Sequence, residues 1–187
     1  MGERVEQRRG GRRSAAESEQ TRAEVIDAAL RVFADKGFEA ASLRDIAALA
    51  DTAHGLIRHH FGSKEGVWRA AVDVAVARSI AALMPSMTRA ADSSTNPADE
   101  ARRAIRAMLD VSRRQPEIAR MLLHEGVRGG SHLIYALEQY VAIGDVMEPL
   151  FKRLHTQGRL MAFDNRTLFL FILTAGIGPL ALPALSA

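Results

Sequence analysis

The segment "SLRDIAALADTAHGLIRHHFGSK", Ser42 to Lys64, sets two apolar periodicities only three residues apart. Leu43, Ile46, Ala47 and Ala50 recur at three- and four-residue steps. After Asp51-Thr52-Ala53 the helical spacing resumes through Ile57 and Phe61. Such steps stack side chains on one face of a helix, whereas a strand needs alternation with period two. Three residues allow only a tight turn, so the chain folds back as two short helices, which is helix-turn-helix geometry. Ala47 and Ala50 are small enough for the two helices to approach closely where they cross. Ser42, followed three residues later by Asp45, makes a capping-box-like start to the first of them.

The flanking sequence supplies what these helices pack against. Val25, Ile26, Ala29, Leu30 and Phe33 form the apolar stripe of a preceding helix, with Arg22, Glu24, Asp27, Arg31 and Asp35 on its other faces. Gly37 is placed to end that helix in a left-handed conformation, with Phe38 folding back as the apolar contact. Beyond the turn, Ile57 and Phe61 face inward, His54, Arg58 and His59 face outward, and His60 sits at the margin. Ser63 is the N-cap of a long helix running to about Met84-Pro85, with Trp68, Val72, Val76, Ile80 and Leu83 on its apolar face.

The rest of the chain reads as helices separated by polar breaks. "ADSSTNPADE" is a loop with Pro97 in the first turn of the next helix, whose core face is Ile105, Met108, Leu109 and Ser112. Gln115-Pro116 stops that helix, "PEIARMLLHEG" is a short one, and "VRGGS" is a second loop. A long helix follows from His132 to about Gln157, with Pro149 as a kink and Gly158 as a cap. "TLFLFILTAGIGPLALPALSA" is long and apolar enough to raise a membrane span, but its prolines and glycines and the lack of a flanking basic cluster favour a helix buried between two subunits.

Charge and composition narrow the function classes. A chain of 187 residues that is 48% hydrophobic can bury a real core. It has no cysteine, so disulfides and thiolate metal sites are excluded. The formal charge of +3 is concentrated at the start, where Arg4, Arg8, Arg9, Arg12 and Arg13 stand against Glu3 and Glu6. Residues 1–18 read as a flexible basic arm, either solvated or lying along DNA phosphates. The polar N-terminus carries no secretory signal, so the expected location is cytoplasmic. His54, His59 and His60 are spaced by five, six and one residues, which does not put metal ligands on one helix face. His124-Glu125, His132 and His155 lack an accompanying nucleophile, phosphate loop or metal motif, so no catalytic residue, metal or cofactor is expected.

"TRAEVIDAALRVFADKGFEAASLRDIAALADTAHGLIRHHFGSKEGVWRAAVD" resembles the DNA-binding domain of TetR-type transcriptional regulators. The resemblance rests on the first helix ending in "KGF", on "SLRDIA", and on "HFGSK" opening the next long helix. It implies an all-α fold, with an N-terminal three-helix helix-turn-helix domain over residues 19–78 (the motif itself at about 42–61). A helical ligand-binding and dimerisation domain over 79–187 follows. It also implies a homodimer on a palindromic operator, released by a small-molecule effector. By the same resemblance Ser42, Arg44, His54, Gly55, Leu56, Arg58, His59, His60 and Lys64 contact DNA. Three positions depart from the family pattern: Asp51 replaces the turn glycine, Ala53 replaces the serine or threonine opening the recognition helix, so that Thr52 or Asp51 must cap it, and Arg58 replaces a tyrosine. For the effector, the helices expected to converge offer Trp68, Met108, Met121, His124, Glu125, Tyr135, Met147, Phe151 and Phe169. The competing reading is a helical small-molecule or membrane-surface binding protein with an incidental helix-turn-helix.

Overall fold

A computed structural model describes residues 3–88, 96–158 and 167, and within them side chains at positions other than 3–14, 86–88 and 97. Seven helices and no strand occur among the described residues: α1 (Glu3–Ala40), α2 (Leu43–Leu49), α3 (His54–Phe61), α4 (Lys64–Thr88), α5 (Pro97–Arg114), α6 (Pro116–Arg128) and α7 (Ser131–Thr156). The chain divides into two compact units, Met1–Ala71 and Val72–Ala187, so the boundary falls inside α4 and ahead of position 78.

In the first unit, α1 is broken at Gly37, where φ is 71° and ψ is 171°. That combination suits glycine almost alone: φ is positive as in the left-handed cap expected there, but ψ is extended rather than helical. The backbone of the expected flexible arm is helical from Glu3, continuous with α1. The Arg, Glu, Gln and Ala of this stretch favour helix, and only Gly10-Gly11 oppose it. The core beneath the turn is built from Val25, Ile26, Phe33, Ile46, Ile57, Val67 and Trp68, each at most 1% exposed. Phe33 and Phe38 both meet the Trp68 ring edge-on, at centroid distances of 5.0 and 5.7 Å. Phe38 therefore makes the folding-back contact expected of it, and such ring pairs add about 0.5–1.5 kcal/mol each beyond the area buried.

In the second unit, Asn96 caps α5 by accepting from the Ala98 amide at 3.1 Å, with Pro97 in the first turn. Gln115 closes α5 and Pro116 opens α6. Met108 and Ser112 lie on the buried face of α5 as expected and Leu109 is half-buried, but Ile105 is 41% exposed and Ala104 takes its place in the core. Pro85 and Pro149 lie inside α4 and α7 without ending them. A proline removes a single helical hydrogen bond, and the packed faces on either side carry the helix through. Gly158, at φ 63°, follows α7 and donates to the His155 carbonyl. Phe169 and the rest of the apolar segment from 168 lie outside the described residues.

Candidate functional site

The helix-turn-helix is built from local hydrogen bonds outward. Ser42 and Asp45 form a reciprocal capping box: the Asp45 amide donates to Ser42 Oγ at 3.2 Å, and the Ser42 amide donates to Asp45 Oδ2 at 3.0 Å. Lys36 Nζ pairs with Asp45 Oδ1 at 2.9 Å. The hydrogen bonds from Lys36 and Ser42 hold the Asp45 carboxyl below its ordinary pKa. The turn passes through Asp51 at φ 47°, the position where the resemblance leads one to expect glycine. Asp tolerates this left-handed conformation better than most residues. Ala53 is the N-cap of α3 and makes no side-chain bond, so neither Thr52 nor Asp51 caps the helix as expected. The Thr52 amide is instead committed to the Ala47 carbonyl at 3.0 Å, tying the turn to α2.

One face of α3 is anchored and the other is open. Ile57 is fully buried, whereas His54, Gly55, Leu56, Arg58 and His59 are all exposed, and His60 and Phe61 are half-buried. Arg44 projects exposed from α2. Nothing lies within 4 Å of a Cβ built on Gly55, so the backbone at the start of α3 is approachable from outside. Phe61 carries the Arg22 guanidinium over its ring at 5.5 Å, which secures the far end of α3 to α1.

Lys64 stands differently from the other expected DNA contacts. Its ammonium donates to the carbonyls of Phe38, Glu39 and Ala41 at 2.8, 3.2 and 3.0 Å, and lies 4.3 Å from the Phe38 ring centroid. An ammonium has three protons, and all three are taken. In the free chain Lys64 is thus a clamp that fixes the link between α1 and α2 to the start of α4. Ser42 likewise spends its hydroxyl on Asp45, donating to Oδ2 at 2.7 Å.

The second unit holds a cavity of about 40 Å³. Its apolar lining is Leu83, Met108, Val111, Ile118, Ala119 and Ile143, and its polar lining is Ser79, Ser112, Gln115 and Tyr140. Of the effector residues expected from sequence, only Met108 lines it among the described residues, and Phe169 lies outside them. Trp68 belongs to the core of the first unit, and Met121, Glu125, Met147 and Phe151 are buried elsewhere in the second. His124 is exposed, and the Tyr135 hydroxyl donates to Asp73 Oδ1 at 2.6 Å. The polar lining residues carried a usable sequence signal: Ser79, Ser112 and Tyr140 are polar groups embedded in otherwise apolar helical stripes, where a polar atom needs a reason. Among the described residues no group of His, Cys, Asp and Glu is arranged to hold a metal ion, and no helix is long and apolar enough to cross a membrane.

An anchored short helix with one open face, turned back on a capped partner helix, defines a helix-turn-helix protein of the DNA-binding class. The family model for bacterial regulatory proteins of the tetR family matches residues 25–71, which lie within the first unit. An HTH-type transcriptional repressor of Mycobacterium tuberculosis is 42% identical over 55 residues, 29% of this chain. The chain thus spans less than a third of that relative's own length, 29%, in the match. Across the whole fold the chain is similar to the TetR family transcriptional regulator PfmR from Thermus thermophilus, with a TM-score of 0.63 at 20% identity, covering 83% of this chain and 84% of that one. The transcriptional regulator FadR from Bacillus subtilis, solved in complex with stearoyl-CoA, gives 0.64 at 16% identity over 85% of this chain and 84% of that one. The family is one of transcriptional regulators, and the two-part helical architecture is that of its solved members.

Proposed function

We propose that the protein is a ligand-responsive transcriptional regulator: a cytoplasmic homodimer, without catalytic activity, that represses from a palindromic operator and is released by a small molecule. The carrying observation is the sidedness of α3, with Ile57 buried at 0% exposure and His54, Gly55, Leu56, Arg58 and His59 open to a partner. A helix held this way fits a major groove, where Leu56 can meet thymine methyl groups and Arg58 can reach a guanine edge with two hydrogen bonds. Arg44 and His60 flank that face and suit phosphates. Ser42 and Lys64 act first by shaping the turn, and reach DNA only if they exchange their internal partners for phosphate. Helix α4 gives Val67 and Trp68 to the first core and Ser79 and Leu83 to the cavity lining, so a ligand that shifts its second half has a continuous helix through which to act.

Selection of bound sites from random duplex DNA tests the reading. One palindrome with guanine in each half-site is expected, together with steep loss of affinity as salt rises, about 0.9 in log-log slope for each phosphate neutralised. Arg58→Ala is expected to lose about 1–3 kcal/mol of discrimination at that guanine alone. Uniform weakening on all sequences would make Arg58 a phosphate contact, and equal affinity for any duplex would remove the regulator reading.

A further inference from the structure

The cavity in the second unit is more selective than its apolar lining first suggests. Ser79 Oγ donates to the Ala75 carbonyl at 2.9 Å and Ser112 Oγ to the Met108 carbonyl at 2.8 Å, so both hydroxyl protons are spent within their own helices. The Tyr140 hydroxyl differs. The residue is 4% exposed, and its oxygen is buried with no hydrogen-bond partner among the described residues. A buried hydroxyl without a partner is destabilising, and a ligand atom that accepts its proton removes that cost. Gln115, half-buried between α5 and α6, adds an amide that can both donate and accept. No charged side chain lines the cavity among the described residues.

We infer that this cavity is the effector site and that it takes a small neutral molecule, about one six-membered ring in size, carrying a single hydrogen-bond acceptor such as a ketone, ester or ether oxygen for Tyr140. The inference deepens the effector part of the proposed function and rests on it. Size follows from a volume of about 40 Å³, room for about three water molecules. Neutrality follows from the lining, because an ionised carboxylate entering it would lose its hydration and find no cation. The similar structure that holds stearoyl-CoA has a ligand far larger than this space and bearing phosphates, for which this lining supplies no partner.

The test is calorimetric binding of cyclohexanone, methylcyclohexane and cyclohexanecarboxylate to the full chain without DNA at pH 7.5, with operator release measured separately. Cyclohexanone is expected to bind at least tenfold more tightly than the carboxylate. Tyr140→Phe is expected to weaken cyclohexanone about tenfold and leave methylcyclohexane unchanged, the worth of one hydrogen bond. Ala119→Leu, which adds bulk to the lining, is expected to abolish binding of both neutral molecules. Circular dichroism confirms that each variant is folded. Equal or tighter binding of the carboxylate, equal effects of Tyr140→Phe on both neutral molecules, retained binding in Ala119→Leu, or no binding at millimolar concentration would each overturn the inference. A chain that binds cyclohexanone but selects no operator keeps the ligand class and loses the regulator reading. A chain that selects an operator but binds none of the three does the reverse.

Discussion

A Cβ built on Gly66 would lie 2.0 Å from the Phe61 carbonyl oxygen, closer than any real contact. The obstacle is backbone, so a side chain there cannot be accommodated by a rotamer change. It must push the end of α3 away from the start of α4. Gly66→Ala is therefore expected to destabilise the first unit by about 1–3 kcal/mol and to weaken operator binding by displacing the recognition helix. Gly55 makes the opposite prediction with the same substitution. It is exposed, and nothing lies within 4 Å of its added Cβ. Gly55→Ala should stabilise α3 by up to about 1 kcal/mol through helix propensity, while lowering DNA affinity if the helix backbone approaches the duplex there. Thermal melts of the two variants beside their operator titrations separate a fold requirement from a contact requirement. Equal melting temperatures would discount the clash.

At the scale of the element, the start of α2 is the most over-determined point of the helix-turn-helix. Ser42→Ala removes one half of the capping box and is expected to cost about 0.5–2 kcal/mol. Asp45 adds a pH dependence whose sign follows from its lowered pKa. The folded chain holds the carboxylate in its charged form more firmly than the unfolded chain does, so the contribution is fully present above the ordinary value near 3.8 and is lost as pH falls through the folded value. The stability difference between wild type and Asp45→Asn should thus be constant from neutral pH to about 5 and shrink below about 4 in denaturant titrations. A difference that held its size into strong acid would assign the effect to packing. The capping box, the turn, the sidedness of α3 and the start of α5 were all legible in the sequence, because each is a short-range pattern of a few residues. The clamp made by Lys64 was not, since its partners lie 23 to 26 residues away and are backbone carbonyls that leave no mark in side-chain identity. The cavity was legible only in part for a related reason. Methionines and aromatics drew attention, yet Met121, Met147 and Phe151 fill the core, and what lines the space is mostly aliphatic residues on α4, α5, α6 and α7 with four polar groups, Ser79, Ser112, Gln115 and Tyr140, set among them.

At the scale of the molecule, two hydrophobic cores are held by different means, and the single tryptophan reports on one of them. Trp68 lies in the core of the first unit, so its fluorescence follows that unit, whereas far-UV circular dichroism follows helices of both. The second unit is tied from the first turn of α5 to the last turns of α7 by the ion pair of Glu100 and Arg153, in which the Glu100 side chain is 4% exposed and that of Arg153 is 37% exposed. Taking two charges out of water offsets much of their attraction, but removing one partner strands the other. Arg153→Met leaves Glu100 buried without its cation and is expected to destabilise the second unit by about 3 kcal/mol, the lower end of the range for buried pairs because Arg153 still meets solvent. The dichroism midpoint in denaturant should fall, and the Trp68 fluorescence midpoint should hold. Joint movement of both midpoints would mean that the two units unfold as one. Adding Glu100→Met to Arg153→Met should recover most of the loss, because an apolar pair of similar volume carries no desolvation penalty. A double variant as unstable as the single one would show that Glu100 has work apart from Arg153.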